Sequence, residues 1–204
     1  MEFNLFNIYK VLSVFLSYPS TDLKNDICYI NDMIKNDKIT LKDNSILLHD
    51  FLTFIDKNDI LFLQEHYVSI FDRRKDCSLY IFEHIHGDSR ERGMAMIDLL
   101  NLYKKSNFII SNKSELPDHI PVFLEYLSLL PDEKASLLLG EIINIVSVIS
   151  KRLIKINTEY QKPFAILENL SPVKCDNKIV DKLLKESKFN INDYDKEWEE
   201  PKVF

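Results

Sequence analysis

Apolar residues recur at three- and four-residue steps along most of this chain, with polar residues filling the steps between them. Leu5, Ile8, Tyr9, Leu12, Phe15 and Leu16 share one face of a helix that Tyr18-Pro19 stops. Ser20 or Thr21 caps a second helix, in which Leu23, Ile27, Ile30 and Ile34 keep the period to about Asn36. Residues 37–43 are polar and read as a loop. Asp43 or Asn44 opens a third helix through Ile46, Leu47, Phe51 and Ile55, and Asn58 or Asp59 a fourth through Leu63, Tyr67 and Ile70. The short polar breaks suit antiparallel neighbours in a bundle.

The middle of the chain is less regular. After a charged turn at 72–76, the pattern predicts a short helix over about Ser78–Ile85 that Gly87 ends. Asp88 caps the next helix with Glu91 three residues on, and Met96, Leu99, Leu100 and Tyr103 line its inner side. A loop near 111–114 leads to Pro117, whose fixed φ suits a helix start; Pro121 is close enough to that start to be tolerated, and Leu124 and Leu127 face inward. Pro131-Asp132 opens the longest predicted helix, striped by Leu138, Ile142, Ile145, Ile149, Leu153 and Ile156 to about Lys155. Helices over about Pro163–Leu170 and Ile179–Leu184 follow, with Pro172 between them. The expectation is all-α: a single-domain helical bundle of about eight to ten helices. Residues 1–170 form the helical domain, and 171–204 a short helix plus an acidic tail that is mobile or partner-dependent.

Composition narrows the function. Three glycines in 204 residues leave little for tight hairpins, phosphate-cradling loops or a dinucleotide fold. No run of about 18 apolar residues could span a membrane, and the N-terminus lacks the basic region and cleavage site of a secretory signal, so a cytoplasmic location is expected. Cys28, Cys77 and Cys175 lie far apart, as reduced thiols do. The net charge of −6 argues against nucleic-acid binding and suits a basic peptide partner.

Candidate chemistry gathers between residues 71 and 127. His84 and His86 are two apart, which points them to different sides of a helix, unlike the i, i+4 pair of a helical zinc site; no metal site is expected. Gly87-Asp88-Ser89-Arg90, with Arg92 behind, is the raw material of an anion site at a helix start, but Asp88 already occupies the positive end. A structural cap is favoured, and a nucleotide- or phosphate-handling enzyme using Arg90 and Arg92 is the weaker alternative. Ser89 and Cys77 lack any nucleophile signature, and Glu115, Asp118 and Glu125 read as caps or solvated acids, so no catalytic residue is assigned. What remains is a mixture of aromatics and acids: Tyr80, Phe82, Glu83, His84, Asp118, His119, Glu125 and Tyr126. A groove between helices could take an amphipathic helix by its apolar face while these acids meet its basic residues. On periodicity alone, each of these aromatics taken singly reads as ordinary core.

Five blocks go further than composition: Tyr67-Val68-Ser69-Ile70-Phe71-Asp72, Ser78-Leu79-Tyr80, His86-Gly87-Asp88-Ser89-Arg90-Glu91-Arg92-Gly93, Glu115-Leu116-Pro117-Asp118-His119-Ile120-Pro121 and Leu124-Glu125-Tyr126-Leu127. In sequence and spacing they resemble the nitrate reductase molybdenum cofactor assembly chaperones of the NarJ type, within the wider redox-enzyme maturation chaperones related to TorD and DmsD. The resemblance implies a TorD-like helical domain that binds the N-terminal segment of the immature nitrate reductase catalytic (alpha) subunit. It implies that the chaperone holds this client for molybdenum cofactor insertion and then leaves. The cofactor, molybdopterin guanine dinucleotide, would be handled through the client and not bound permanently, with cofactor-insertion proteins as further partners. The site residues carried over are Tyr80, Glu83, His84, Asp118, His119, Glu125 and Tyr126 for the client, docked between the helix holding Tyr80 and the one starting at Pro117. Gly87, Asp88, Arg90, Arg92, Pro117 and Pro121 are expected to set how the helices meet. A different molybdoenzyme client is the alternative.

Overall fold

The structure is a computed structural model and describes residues 7–36, 44–86, 90–111 and 115–186. Among these residues it contains eleven α-helices: α1 (Ile8–Leu16), α2 (Thr21–Asn36), α3 (Ser45–Lys57), α4 (Ile60–Tyr67), α5 (Glu83–His86), α6 (Arg90–Lys105), α7 (Ile120–Leu127), α8 (Asp132–Glu141), α9 (Ile143–Lys155), α10 (Gln161–Leu170) and α11 (Asn177–Glu186). The protein is all-α. A π-turn over Val68–Asp72 continues α4, and a 3-10 turn follows over Lys75–Cys77.

Helix starts follow the polar side chains that the sequence places there. Asn7 Oδ1 accepts from the Tyr9 N–H at 2.9 Å, Ser20 Oγ from Leu23 at 3.2 Å and Asp59 Oδ1 from Phe62 at 2.8 Å, each satisfying a donor that the first turn leaves open. Two helix ends use asparagine where glycine is usual. Asn107 and Asn157 sit at φ 55° and 53° just beyond α6 and α9, and in each case the next residue's N–H reaches back five positions, from Phe108 to Tyr103 O and from Thr158 to Leu153 O. A chain this poor in glycine closes its helices with the residue that best tolerates the left-handed region after it.

The core lies where α1, α3, α7, α9 and α10 meet. Phe15, Phe51, Tyr67, Phe71 and Tyr160 form its aromatic centre, with Phe15–Phe51, Phe51–Tyr160 and Phe71–Tyr160 ring centroids at 5.1, 5.4 and 4.9 Å. Hydrogen bonds fix how helices seat. Ser13 Oγ donates to Pro121 O at 2.7 Å and Asn7 Nδ2 to Ser128 O at 3.0 Å, so α1 is bound to both ends of α7. Ser147 and Ser150 donate from α9 to Glu168 on α10 at 2.6 and 3.0 Å. Buried Arg152 on α9 donates to Asp76 O and Leu183 O, joining the turn after α4 to α11.

Three boundaries differ from the sequence pattern. The helix expected over 131–155 is two helices, broken at Ile142, whose carbonyl accepts from both Ile145 and Val146. Of the helix predicted over Ser78–Ile85 only the end is helical, as α5 from Glu83; Tyr80 forms an isolated antiparallel bridge with His119, and residues 81–82 turn into α5. This segment joins residues 118–120 by two backbone bonds, Ile81 N–H to Asp118 O at 2.9 Å and Ile120 N–H to Leu79 O at 2.8 Å. Pro117-Asp118 forms a turn ahead of α7, which starts at Ile120 with Pro121 in its first turn. The acidic tail expected over 190–204 lies outside the described residues.

Candidate functional site

Two backbone bonds join residues 79–81 to 118–120, the segments between which the family resemblance implies a docked client helix. An open cleft of about 380 Å³ lies instead between that pair, the C-terminal half of α1 and the π-turn. Ser13 lines it from α1 and Ser17 and Tyr18 from the stretch after it, Tyr67 from the end of α4 and Asp72 from the π-turn, Tyr80 and His119 from the bonded pair, and Pro121, Val122 and Glu125 from α7. Phe108, Ile110, Ser111 and Glu115 complete the wall.

Three carboxylates reach this cleft, and no lysine or arginine is among its described lining residues. Glu115 is the most constrained: its Oε1 accepts from the Tyr80 hydroxyl at 3.0 Å and lies 3.5 Å from His119 Nδ1. The Tyr80 and His119 rings pack at 5.1 Å. Burial and Glu115 push the Tyr80 hydroxyl up to about 12, so it stays a donor to that carboxylate. Burial lowers His119, and Glu115 opposes this. Partial burial raises the Asp72 carboxyl. Burial first, then Tyr160 and the carboxylates of Asp72 and Glu115, raises Tyr67, whose hydroxyl donates to Leu16 O at 3.0 Å. Glu125 pairs with Lys10 of α1 at an exposed edge. The cleft is an electronegative, tyrosine-walled surface suited to a cationic side chain.

The remaining expected residues build the surroundings. Asp118 is fully buried: its Oδ2 accepts from the Phe82 N–H at 3.1 Å and lies 3.9 Å from Arg92 Nη2. Arg92 also pairs with Glu83 at 3.3 Å, so Glu83, Arg92 and Asp118 clasp α5 and α6 to the turn before α7. Burial raises the Asp118 carboxyl, against the Phe82 N–H and Arg92. Pro117 is buried, and its carbonyl accepts from the Tyr103 hydroxyl at 2.8 Å. Tyr126 is fully buried against Tyr103 and Phe108, with ring centroids 4.7 and 5.7 Å away; it shapes the wall from behind.

His84 also points away from the cleft. Its Nε2 lies 2.8 Å from Ser78 O, a group that only accepts, so Nε2 carries the proton and Nδ1 accepts from Arg152 Nη1 at 3.2 Å. Burial lowers its pKa, with the Arg152 charge adding to this. Arg90 is exposed at the start of α6, and Gly87 and Asp88 lie outside the described residues. Cys77 is fully buried, and burial pushes its thiol up to about 11, far from a reactive thiolate. Among the described residues no group of three His, Cys, Asp or Glu side chains is placed to hold a metal ion.

Ser13, Ser17, Tyr18 and Asp72 were not picked out by the sequence pattern. Tyr18 read as part of a helix stop and Asp72 as part of a charged turn; the one available signal was that Asp72 closes the Tyr67–Asp72 block. The nitrate reductase delta subunit family model matches residues 42–164, a span that contains every cleft residue except Ser13, Ser17 and Tyr18. The chain belongs to the nitrate reductase delta subunit family. The nitrate reductase molybdenum cofactor assembly chaperone NarJ of Escherichia coli (strain K12) is 35% identical over 195 residues, 95% of this chain and 82% of its own. A probable chaperone of the same description from Bacillus subtilis (strain 168) is 30% identical over 162 residues, 78% of this chain and 85% of its own. An Archaeoglobus fulgidus crystal structure assigned to redox enzyme maturation shares the fold at TM-score 0.57, covering 79% of this chain and 90% of that one at 23% identity. Among the described residues of this family member, no helix is long and apolar enough to cross a membrane.

Proposed function

We propose that this chain is a cytoplasmic chaperone for nitrate reductase, binding the N-terminal segment of the immature catalytic subunit and holding it for molybdenum cofactor insertion. The observation that carries the reading is the cleft: Asp72, Glu115 and Glu125 converge among tyrosines, with no lysine or arginine among the described lining residues. A basic amphipathic segment supplies the missing charge, and its apolar face meets Tyr18, Tyr80 and Val122. Lys10 holds Glu125 in the free chain, an exposed pair that a client cation can replace at little cost.

The work done is differential binding. A chaperone that grips the client's N-terminus only while it is unpacked shifts the client toward its open state, by no more than the difference in affinity for the two states. The cofactor then reaches the client and not this chain. Titration calorimetry with a peptide of that N-terminal segment, beside a scrambled peptide of equal charge, tests the reading. Binding of the true peptide alone, at micromolar affinity or tighter and so about −8 kcal/mol, is the expected result. Equal or absent binding to both peptides removes this client and favours another molybdoenzyme.

A further inference from the structure

Tyr18 lines the acidic cleft and also a second open depression, of about 540 Å³. Leu61, Phe62, Glu65 and His66 of α4 supply its floor, Val68 and Ser69 of the π-turn continue it, and Arg73 stands at its end. Three large apolar side chains are exposed here: Tyr18 at 53%, Leu61 at 62% and Phe62 at 44%. One exposed apolar residue is ordinary; three converging on one depression mark a contact surface.

The surface is a built shelf. Phe62 stacks on His66 with centroids 5.7 Å apart and planes 11° apart, and His66 stacks on Tyr160 of the core at 5.9 Å. His66 Nε2 also lies 2.9 Å from Thr158 Oγ1, which fixes the ring that supports Phe62. The π-turn links shelf and cleft, because Val68 and Ser69 line the first and Asp72 the second. A single wide turn at the end of one helix thus feeds both surfaces, a placement typical of π-turns at working sites.

We infer that cleft and shelf are one groove, and that the client segment held at the carboxylates continues past Tyr18 onto Leu61 and Phe62. This deepens the chaperone reading and rests on it. The occupant is an amphipathic segment with its cations over Asp72, Glu115 and Glu125 and its apolar or aromatic residues over the shelf. Charge sets that polarity: the cleft lining holds three carboxylates, while the shelf's Glu65 and Arg73 balance and leave apolar contact to select the ligand. From Leu61 to Ser69 the floor rises about 12 Å, room for roughly two turns of a docked helix with anchors at i and i+4.

The probe is the synthetic N-terminal peptide of the nitrate reductase catalytic subunit, its affinity followed by fluorescence anisotropy at two salt concentrations. Leu61→Ser with Phe62→Ser is expected to weaken binding at least tenfold and leave the salt dependence unchanged. Leu61→Lys alone, at a side chain that supports no core, is expected to weaken it in the same direction and guards against a folding defect in the double variant. Asp72→Asn with Glu115→Gln is expected to weaken binding and flatten the salt dependence. If the carboxylate variant weakens binding while both shelf variants stay within twofold of the parent, the groove ends at Tyr18 and this inference falls with the chaperone reading intact. If the parent chain itself does not bind the peptide, both fall together.

Discussion

Glu115 and Asp118 stand three positions apart in one motif and have opposite duties. Glu115 faces the cleft, held by the Tyr80 hydroxyl, whereas Asp118 is fully buried and accepts the Phe82 N–H. Removing Asp118 leaves the part-buried Phe82 N–H without this acceptor and takes one carboxylate from Arg92, so Asp118→Ala is expected to cost about 1–3 kcal/mol in urea unfolding. Glu115→Gln keeps a hydrogen-bond acceptor and is expected to stay within about 0.5 kcal/mol while weakening peptide binding. Equal stability loss in the two variants would contradict this division. His84 gives a pH dependence of definite sign. Around it stand Arg152 from α9, the Asp76 and Ser78 carbonyls, and the carboxylates Glu83 and Asp76. Its folded pKa is lowered from 6.5, so its neutral-state packing is fully present above about pH 6.5. That contribution is lost as pH falls through 6.5 toward the folded value, because the unfolded chain takes up the proton first. Unfolding free energies at pH 7.5 and 5.5 are expected to fall more in the parent than in His84→Gln; identical slopes would exclude His84 as the source.

At the scale of elements, most helices were legible because their signals are local: a polar cap, a 3.6-residue stripe, a proline. Ser20 and Asp59 cap as their positions suggest, and the α1 stripe buries Ile8, Tyr9, Leu12, Phe15 and Leu16. The misread elements are those that distant parts of the chain decide. Residues 78–82 carry enough apolar character for a helix turn, yet Tyr80 bridges His119 because 118–120 supply the matching backbone acceptor and donor to Ile81 and Leu79. The α8–α9 break is hidden for the same reason, since the apolar stripe runs straight through Ile142. Gly140, two residues earlier, marks the place: a Cβ there would lie 2.7 Å from Val173 Cγ2, in the loop that leads to α11. Ala is otherwise the better helix former by about 1 kcal/mol, while overpacking costs about 1–3 kcal/mol. Gly140→Ala is therefore expected to destabilise the parent and to stabilise a Val173→Ala background, a coupling that a double-mutant cycle measures directly. Additive effects in that cycle would mean that the loop simply moves aside. The candidate site was half legible for the same kind of reason. Tyr80, His119, Pro121 and Glu125 do line the cleft, but Tyr18 and Asp72 come from segments whose neighbours only the fold reveals.

On the scale of the whole molecule, the net charge of −6 gains direction from the cleft, where Asp72, Glu115 and Glu125 share one surface backed by low-dielectric tyrosine rings. A field focused this way acts before contact, by orienting a basic segment as it approaches, and is screened by salt over about 10 Å at 0.1 M. Apolar contacts at Tyr18 and beyond act after contact and resist salt. The two contributions should therefore separate in kinetics. Raising the ionic strength from about 0.05 to 0.5 M is expected to slow association of the proposed client peptide about tenfold and to change its dissociation much less. Neutralising all three carboxylates, as Asp72→Asn, Glu115→Gln and Glu125→Gln, should bring the low-salt association rate down to the parent's high-salt value and abolish the dependence. A parent-like rate and slope in that triple variant, measured by stopped flow, would move the entrance away from the cleft. The opposite substitution makes the same argument from the other side: Lys10→Gln leaves Glu125 unpaired, adds net negative charge at the rim, and should speed association most at low salt.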